Sequence, residues 1–390
     1  MLRQLARFHD VHAVVFQRSE ELDREGDGYE RPDNVRVYTP HDTPPPKTVF
    51  DRLPARAGPG LHYRWLRRSW RGPAGNELLR SHHLVKSILR EHPIDAVVFE
   101  HLSTMAAAPL VKRLSPNTVR ILDAHNVDHL LMEQNLQIQN GNHWTREQRK
   151  TLASVKRTEH NLGKSVEAFF ACSDEDRRTL ESCAGIRGYT VPNGVDTGKI
   201  AWKPPVPGNE KRLLFCGSLG YEPNMDGLKW FGEDIWPQVK ETVPGVVLTV
   251  IGRGNFRDAY GDFPDDPQVN WVGEVDTTLP YYQEADILLC PLRMGSGTRL
   301  KILEAMSAGT PVVATRAGVE GINAIGGEHL LVGDSPEDFA AAVTALLNDH
   351  ERRAAISRAG RELVCRSYDW NVSGGRMAEA IEQLMSTRGA

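Results

Sequence analysis

Short apolar runs alternate with amphipathic segments along almost the whole chain, and this alternation leaves few folds open. Runs this short suit strands buried on both faces rather than buried helices. Repeating a run and a helical segment gives βαβ units, hence a parallel sheet covered by crossover helices. In the first half the runs are Ala13–Phe16, Val35–Tyr38, Ala96–Phe99, Val119–Asp123, Ala168–Cys172 and Tyr189–Val191. In the second half they are Arg212–Cys216, Val246–Ile251, Val269–Val272, Ile287–Pro291, Pro311–Thr315 and Leu330–Val332. Between the two series Pro204, Pro205, Pro207 and Gly208 mark a linker. The pattern predicts an α/β protein of two doubly wound, Rossmann-like domains, residues 1–200 and 212–367, joined by residues 201–211. Their shared cleft should face the carboxyl ends of both sets of strands. Residues 368–390 read as a closing helix.

Bulk properties exclude several classes. With 390 residues and 40% hydrophobic content, the chain can fill more than one core. A net charge of −4 argues against a general nucleic-acid binder. The five cysteines, Cys172, Cys183, Cys216, Cys290 and Cys365, show no metal-ligand spacing, so no metal is expected. No apolar run approaches a membrane-spanning length and no signal peptide is visible, so a cytoplasmic protein is expected.

The stretch from Gly295 to Thr315, GSGTRLKILEAMSAGTPVVAT, carries the most chemistry. A strand-like run leads into a Gly-Ser-Gly-Thr turn, and a helix follows that Gly309 and Pro311 stop. Backbone N–H groups at such a helix start can hold a phosphate. Glu304 lies within an otherwise apolar helix, where a carboxylate needs a partner: a ligand hydroxyl, or Lys301 in a surface pair. Gly217 and Gly252 end apolar runs, where a backbone can approach a ligand or simply turn.

This stretch resembles the donor-binding segment of family 4 glycosyltransferases of the GT-B fold, in particular those of bacterial polysaccharide assembly. PNGVD (192–196), LLFCGSLGYEPNMDGLKWF (213–231), IGRG (251–254) and VNWVGEV (269–275) resemble that family too. The resemblance runs from about residue 90 to the C-terminus. It implies transfer of a sugar from a nucleotide diphosphate to a hydroxyl of a glycan or lipid-linked acceptor. It further implies retention at the anomeric carbon, no required metal or other cofactor, and a last helix that crosses back to the first domain.

Site roles follow from the same resemblance. Glu304 matches the glutamate that grips the ribose. The family's second glutamate, eight residues earlier, is Ser296 here, a hydroxyl without charge. The Arg and Lys that clamp the diphosphate in many members are Ser218 and Pro223 here. A diphosphate leaving group needs cationic stabilisation. Arg299 and Lys301 are the nearest replacements, and Arg299 is preferred because its fork suits phosphate. Gly297 and Thr298 complete the donor side; Arg253, after the run that ends at Gly252, reads either as a nucleotide contact or as a surface arginine. On the acceptor side Asp123, His125 and Asn126 end an apolar run, where a doubly wound domain presents its site residues. His125 matches a family histidine at the reacting centre; His101 holds a similar place on the neighbouring strand, and Glu100 reads as a solvated strand end.

Two features stand apart. The chain begins with a helical segment, Met1–Arg7, where a Rossmann-like domain should begin with a central strand and the family adds a glycine-rich turn. The reading is a start assigned one strand late, a gap in the first sheet, and a chain that expresses poorly or is inactive. Arg64, Arg67, Arg68 and Arg71 share one helical face, with Tyr63, Trp65, Leu66 and Trp70 interleaved. Such a face can lie peripherally on an anionic membrane, here the inner face, or be a solvated face. Rival functions are a nucleotide-sugar epimerase of the same fold and a non-catalytic nucleotide-sugar-binding subunit.

Overall fold

A computed structural model describes residues 5–14, 33–38, 73–141, 143–205, 211–254, 266–295 and 297–388. Ser296, the arginines at 64, 67, 68 and 71, and most of the expected Met1–Arg7 helix lie outside the described residues.

Every strand pairing is parallel. In the first half β1 (Val11–Val14) pairs with β2 (Val35–Tyr38). A separate sheet runs β3 (Ala96–Glu100), β4 (Val119–Ala124), β5 (Ala168–Ala171) and β6 (Arg187–Thr190), in that order. In the second half six strands run in the order β12-β11-β10-β7-β8-β9. They are β7 (Lys211–Cys216), β8 (Val246–Ile251), β9 (Val269–Gly273), β10 (Ile287–Cys290), β11 (Val312–Ala314) and β12 (Leu331–Val332). The sequence places β6 two residues late. Arg187 and Gly188 already pair with Ala168 and Phe169, and Gly188 carries no side chain because a Cβ there would meet the Phe169 ring at 2.4 Å.

Alternation along β4 builds two cores. Leu122 and Ala124 join Phe99, Val127 and Phe169 on one face. Val119 and Ile121 join Phe170 and Val191 on the other, where Met377, Ala380 and Ile381 cover them. Those three belong to the last helix, Trp370–Arg388, so the end of the chain packs on the first-half sheet. In the second half β7 and β10 are sandwiched between two helical layers, because their alternate residues enter two separate clusters, whereas β8 buries mainly one face.

Among the described residues β1 and β3 do not pair, so the first-half strands form two sheets rather than one. Val11 of β1 and Ala96 and Val98 of β3 still pack against one cluster. The cost shows on β3: Ala96, Val97 and Val98 are only half-buried, whereas every residue of β4 and β5 is buried.

The crossing into the last helix is held by one carboxylate. Val195 N–H donates to Tyr368 O at 2.9 Å and Trp370 N–H to Val195 O at 3.1 Å. Asp369 between them is buried and accepts from the Thr197 hydroxyl, from Thr197 N–H at 3.1 Å and from Asn371 N–H at 2.7 Å. Burial pushes its carboxyl up, but these hydrogen bonds outweigh burial and hold it below its ordinary value. Asp369→Ala is expected to cost about 2 kcal/mol, as for lost hydrogen bonds to a charged group. Because the folded value is depressed, this contribution is complete above pH ~4 and lost as pH falls through the folded value. Thermal unfolding of both proteins at neutral and acid pH measures it; a deficit that persists at the acid end contradicts the assignment.

Candidate active site

The helix Leu300–Ala308 is apolar enough to be driven into the second core, where Ile302, Leu303, Ala305 and Met306 are fully buried. Gly309, at φ 99°, ends it in the left-handed conformation, and its N–H returns to Ala305 O at 3.0 Å. Burying that helix carries Lys301 and Glu304 inward with it.

Each of the two finds a partner from a distant segment. The Tyr282 hydroxyl donates to Glu304 Oε2 at 2.9 Å and lies 3.4 Å from Cys216 Sγ. Tyr282 belongs to the helix Leu279–Glu284 and is almost wholly buried, and its carbonyl accepts from Thr310 Oγ1 at 2.6 Å. Burial pushes the Glu304 carboxyl up, against the opposing pull of the Tyr282 hydrogen bond and the Lys301 charge. Lys301 Nζ donates to Asn224 Oδ1 at 2.7 Å and sits 5.0 Å above the Phe215 ring centroid. Burial draws its ammonium below its ordinary value. The surface Glu304–Lys301 pair is therefore not formed; both groups are turned to buried partners. Asn224 also donates through Nδ2 to Ser218 O at 2.9 Å, which fixes the turn after β7.

That turn requires glycine. A Cβ on Gly252 would lie 1.8 Å from Gly217 O, so the ends of β7 and β8 meet backbone to backbone. The close approach follows from an irregularity in the β8–β9 pairing, after which Gly252 N–H donates to Gly273 O at 2.8 Å. A Cβ on Gly217 would lie 2.8 Å from Lys301 Nζ, so the ammonium stands directly over the turn. Arg253, next in sequence, points away into an ion pair with Glu274 at 2.9 Å, its side chain 80% exposed. An exposed pair of this kind stabilises by well under ~1 kcal/mol.

Arg299 is placed differently from Lys301. It is buried, and its guanidinium folds back onto its own turn, donating to Gly297 O at 2.7 Å and to Ala317 O at 3.3 Å. Its charge is felt by Asp176 and Glu320. Arg299 thus shapes the turn that carries Gly297 and Thr298. The Thr298 hydroxyl is buried and has no hydrogen-bond partner among the described residues.

Across from this turn stands the end of β4. A Cβ on Gly297 would lie 2.9 Å from Asn126 Oδ1 and 3.3 Å from His125 O, so the structure brings the Gly297 turn and the His125–Asn126 loop into contact. The His125 ring stacks on His101 at a centroid distance of 4.2 Å. Its Nε2 is buried without a hydrogen bond among the described residues, and burial draws the imidazole below its ordinary value. Asp123 is 2% exposed, and burial, reinforced by nearby Glu100, pushes its carboxyl up to about 7. Glu100 itself is exposed. Behind His125 a closed cavity of about 10 Å³, room for one water, is lined by His101, Leu122, Asp128 and Glu159 among others. Glu159 is in turn held by His129.

Glu304, Lys301, Gly217 and Gly252 form one constellation, and Gly297, His125 and Asn126 meet in another. Tyr282, Asn224 and Asp128 are the residues that sequence reasoning missed. Tyr282 and Asn224 have partners far off in the chain, so no local spacing marks them, whereas Asp128 lies beside His125 and His129.

Residues 1–199 match the family described as Glycosyltransferase Family 4, and residues 210–349 match Glycosyl transferases group 1. The chain belongs to glycosyltransferase family 4. It is 29% identical over 227 residues to a phosphatidyl-myo-inositol mannosyltransferase of Mycobacterium leprae, covering 56% of this chain and 59% of that one. It is 28% identical over 222 residues to a GDP-mannose-dependent alpha-(1-6)-phosphatidylinositol monomannoside mannosyltransferase of Mycolicibacterium smegmatis, covering 51% and 57%. The matched region thus spans less than two thirds of these curated relatives. Among solved structures, the sucrose-phosphate synthase of Thermosynechococcus elongatus superposes with a TM-score of 0.66 at 15% identity, over 97% of this chain and 99% of that one. A glycosyltransferase from Rickettsia africae gives 0.66 at 12% identity, over 98% and 94%. The fold is GT-B.

The Tyr282–Glu304 bond yields a direct test. Tyr282→Phe removes only the hydroxyl and should lower stability by about 1–2 kcal/mol. Glu304's folded value is raised, so it is protonated in both states at low pH, and its burial opposes folding increasingly as pH rises from the unfolded value to the folded one. The variant's deficit should therefore grow as pH rises through the folded value of Glu304. Denaturant unfolding across that range reads it, and a deficit independent of pH counts against the bond.

Proposed function

We propose that the protein moves a sugar from a nucleotide diphosphate to a hydroxyl of a glycan or lipid-linked acceptor, with retention, in cell-surface polysaccharide or glycoconjugate synthesis. The observation that carries this reading is Lys301 Nζ standing over the Gly217 turn while Glu304 is held by Tyr282 on the same helix. The family's diphosphate-clamping cations are absent at Ser218 and Pro223, and an ammonium reaches the same turn from the helix instead. In this reading Lys301 stabilises the charge that develops on the leaving diphosphate. Glu304, one oxygen engaged by Tyr282, offers the other to the ribose hydroxyls. The N–H groups of the Gly297–Arg299 turn face the phosphates, and Arg299 acts by holding that turn rather than by gripping phosphate. Gly252 lets the strand end approach the nucleotide, and Ser296 is the residue at the position of the family's sugar-contacting glutamate.

On the acceptor side, the contact of the Gly297 turn with His125 O and Asn126 Oδ1 supports assigning His125 and Asn126 to the reacting centre. Asp123, with a carboxyl near neutrality, accepts a hydrogen bond from the acceptor hydroxyl. The leaving phosphate deprotonates the acceptor on the same face, and the protein supplies orientation and water exclusion. No metal takes part. The enzyme works in the cytoplasm, and the basic face of Arg64, Arg67, Arg68 and Arg71 brings it to the inner membrane surface. Liposomes rich in anionic lipid should retain the protein and lose it when the four arginines become glutamates; indifference of the wild type to such liposomes removes the membrane contact.

Nucleotide binding tests the donor half by itself. Calorimetry with UDP and with GDP should show that Lys301→Ala weakens the preferred nucleotide ten- to a hundredfold, as for loss of a charge-assisted contact worth about 1.5–3 kcal/mol. Glu304→Gln should weaken it by a smaller factor, and EDTA should change neither binding nor nucleotide release from a nucleotide-sugar panel. Wild-type affinity in Lys301→Ala would remove the lysine from the site, and inhibition by EDTA would overturn the metal-free reading.

A further inference from the structure

His101 is the only non-glycine residue with positive φ among the described residues, at 63°. It follows β3 directly and opens the short helix His101–Thr104, and the Thr104 hydroxyl shares its proton between Glu100 O at 2.8 Å and His101 O at 3.0 Å. The left-handed conformation disfavours any residue with a Cβ, although histidine tolerates it better than most. Here it turns the exposed His101 ring onto His125, with centroids 4.2 Å apart and planes 29° apart.

The stack matters because His125 lacks the usual means of orienting an imidazole. Histidines at reacting centres are commonly fixed by a hydrogen bond on one ring nitrogen. The His125 Nε2 is buried and makes none among the described residues. His101 stacks on one face of the ring, and both rings line the one-water cavity with Asp128 and Glu159. The charged or titratable groups around it are Glu100 at the end of β3, Asp128 at the start of the next helix, His101 itself and Glu159 from the helix beyond. The His125 backbone meanwhile abuts Gly297 of the donor turn.

We propose that His101 is a positioning residue for sugar transfer: its ring, presented by a left-handed backbone at the end of β3, holds the imidazole of His125 in one orientation beside the donor turn. The inference rests on the transfer reaction proposed above. Strained conformations that persist at a site commonly serve the site rather than stability. His101→Gly therefore relieves the backbone and removes the stack together, whereas His101→Phe keeps a ring and bears more backbone cost.

Three variants separate positioning from plain structure: His101→Gly, His101→Asn and His101→Phe. Nucleotide release is measured with UDP-glucose, UDP-N-acetylglucosamine and GDP-mannose as donor probes, beside thermal unfolding. Melting temperature should rise in the glycine variant and fall in the phenylalanine variant. The kcat should run the other way, falling about tenfold in the glycine and asparagine variants and staying within about threefold of wild type with phenylalanine. KM for the donor should stay within about twofold throughout. A kcat that follows melting temperature, or a fully active glycine variant, overturns the proposal. Should the wild type release nucleotide from no probe, the transfer reading fails while His125 remains testable by NMR. In wild type its ring carbon proton should show one ring-current-shifted signal. In His101→Gly that shift should vanish and the titration midpoint should move up toward the ordinary histidine value as the ring is uncovered. An unchanged His125 signal overturns the stack itself.

Discussion

A lysine and a glutamate three residues apart on a buried helix are costly unless each is given a partner, and the donor half is built around meeting that cost. An unpaired buried charge destabilises by several kcal/mol, on the order of 3–5. The helix Leu300–Ala308 cannot satisfy Lys301 and Glu304 from its own residues. Asn224, eight residues beyond β7, receives the ammonium, and Tyr282, ahead of β10, donates to the carboxylate. Both bonds tie the helix to segments that precede it by one or more crossovers. The polar groups therefore fix the helix relative to the strand ends, which apolar packing alone specifies only loosely. Asn224 also holds the Ser218 carbonyl, so the same network shapes the glycine turn below Lys301.

How much of this was legible depended on whether the signal was local. The βαβ alternation revealed β4, β8 and β10 within a residue or so; β10 is an unbroken apolar run buried on both faces, while β4 and β8 are short, mostly apolar runs set between helical segments. Helix 300–308 was legible for the same reason, with Gly309 as its stop. The partners of Glu304 and Lys301 were not, since a hydrogen bond across 22 or 77 residues leaves no mark on spacing. Arg299 shows the opposite limit. Its position beside an anion-binding turn suggests a phosphate ligand, but a guanidinium can also satisfy backbone carbonyls, and here it donates to Gly297 O and Ala317 O. The residue type gave the chemistry available, and only the backbone path decided which carbonyls came within reach. Likewise the sequence placed His125 and His101 at neighbouring strand ends, while their stacking depends on the left-handed turn at His101.

The two halves differ in how completely their backbones are paired, and this bears on how they cooperate. The second-half sheet is continuous through six strands, and its strand ends are locked glycine to glycine at Gly217 and Gly252. Among the described residues β1 and β3 of the first half do not pair, and β3 leaves apolar side chains half-buried. His101 and Glu100 stand at the end of that less supported strand, whereas Asp123 lies within β4, which is paired on both sides, and His125 and Asn126 follow it. A disturbance at the β3 edge thus reaches His125 by two routes, the β3–β4 pairing and the His101 ring. In the proposed transfer reaction the nucleotide side rests on the continuous six-stranded sheet and is insulated from such a disturbance. The orientation of His125 is not, so the proposed chemical step is the part most exposed to a disturbance at β3.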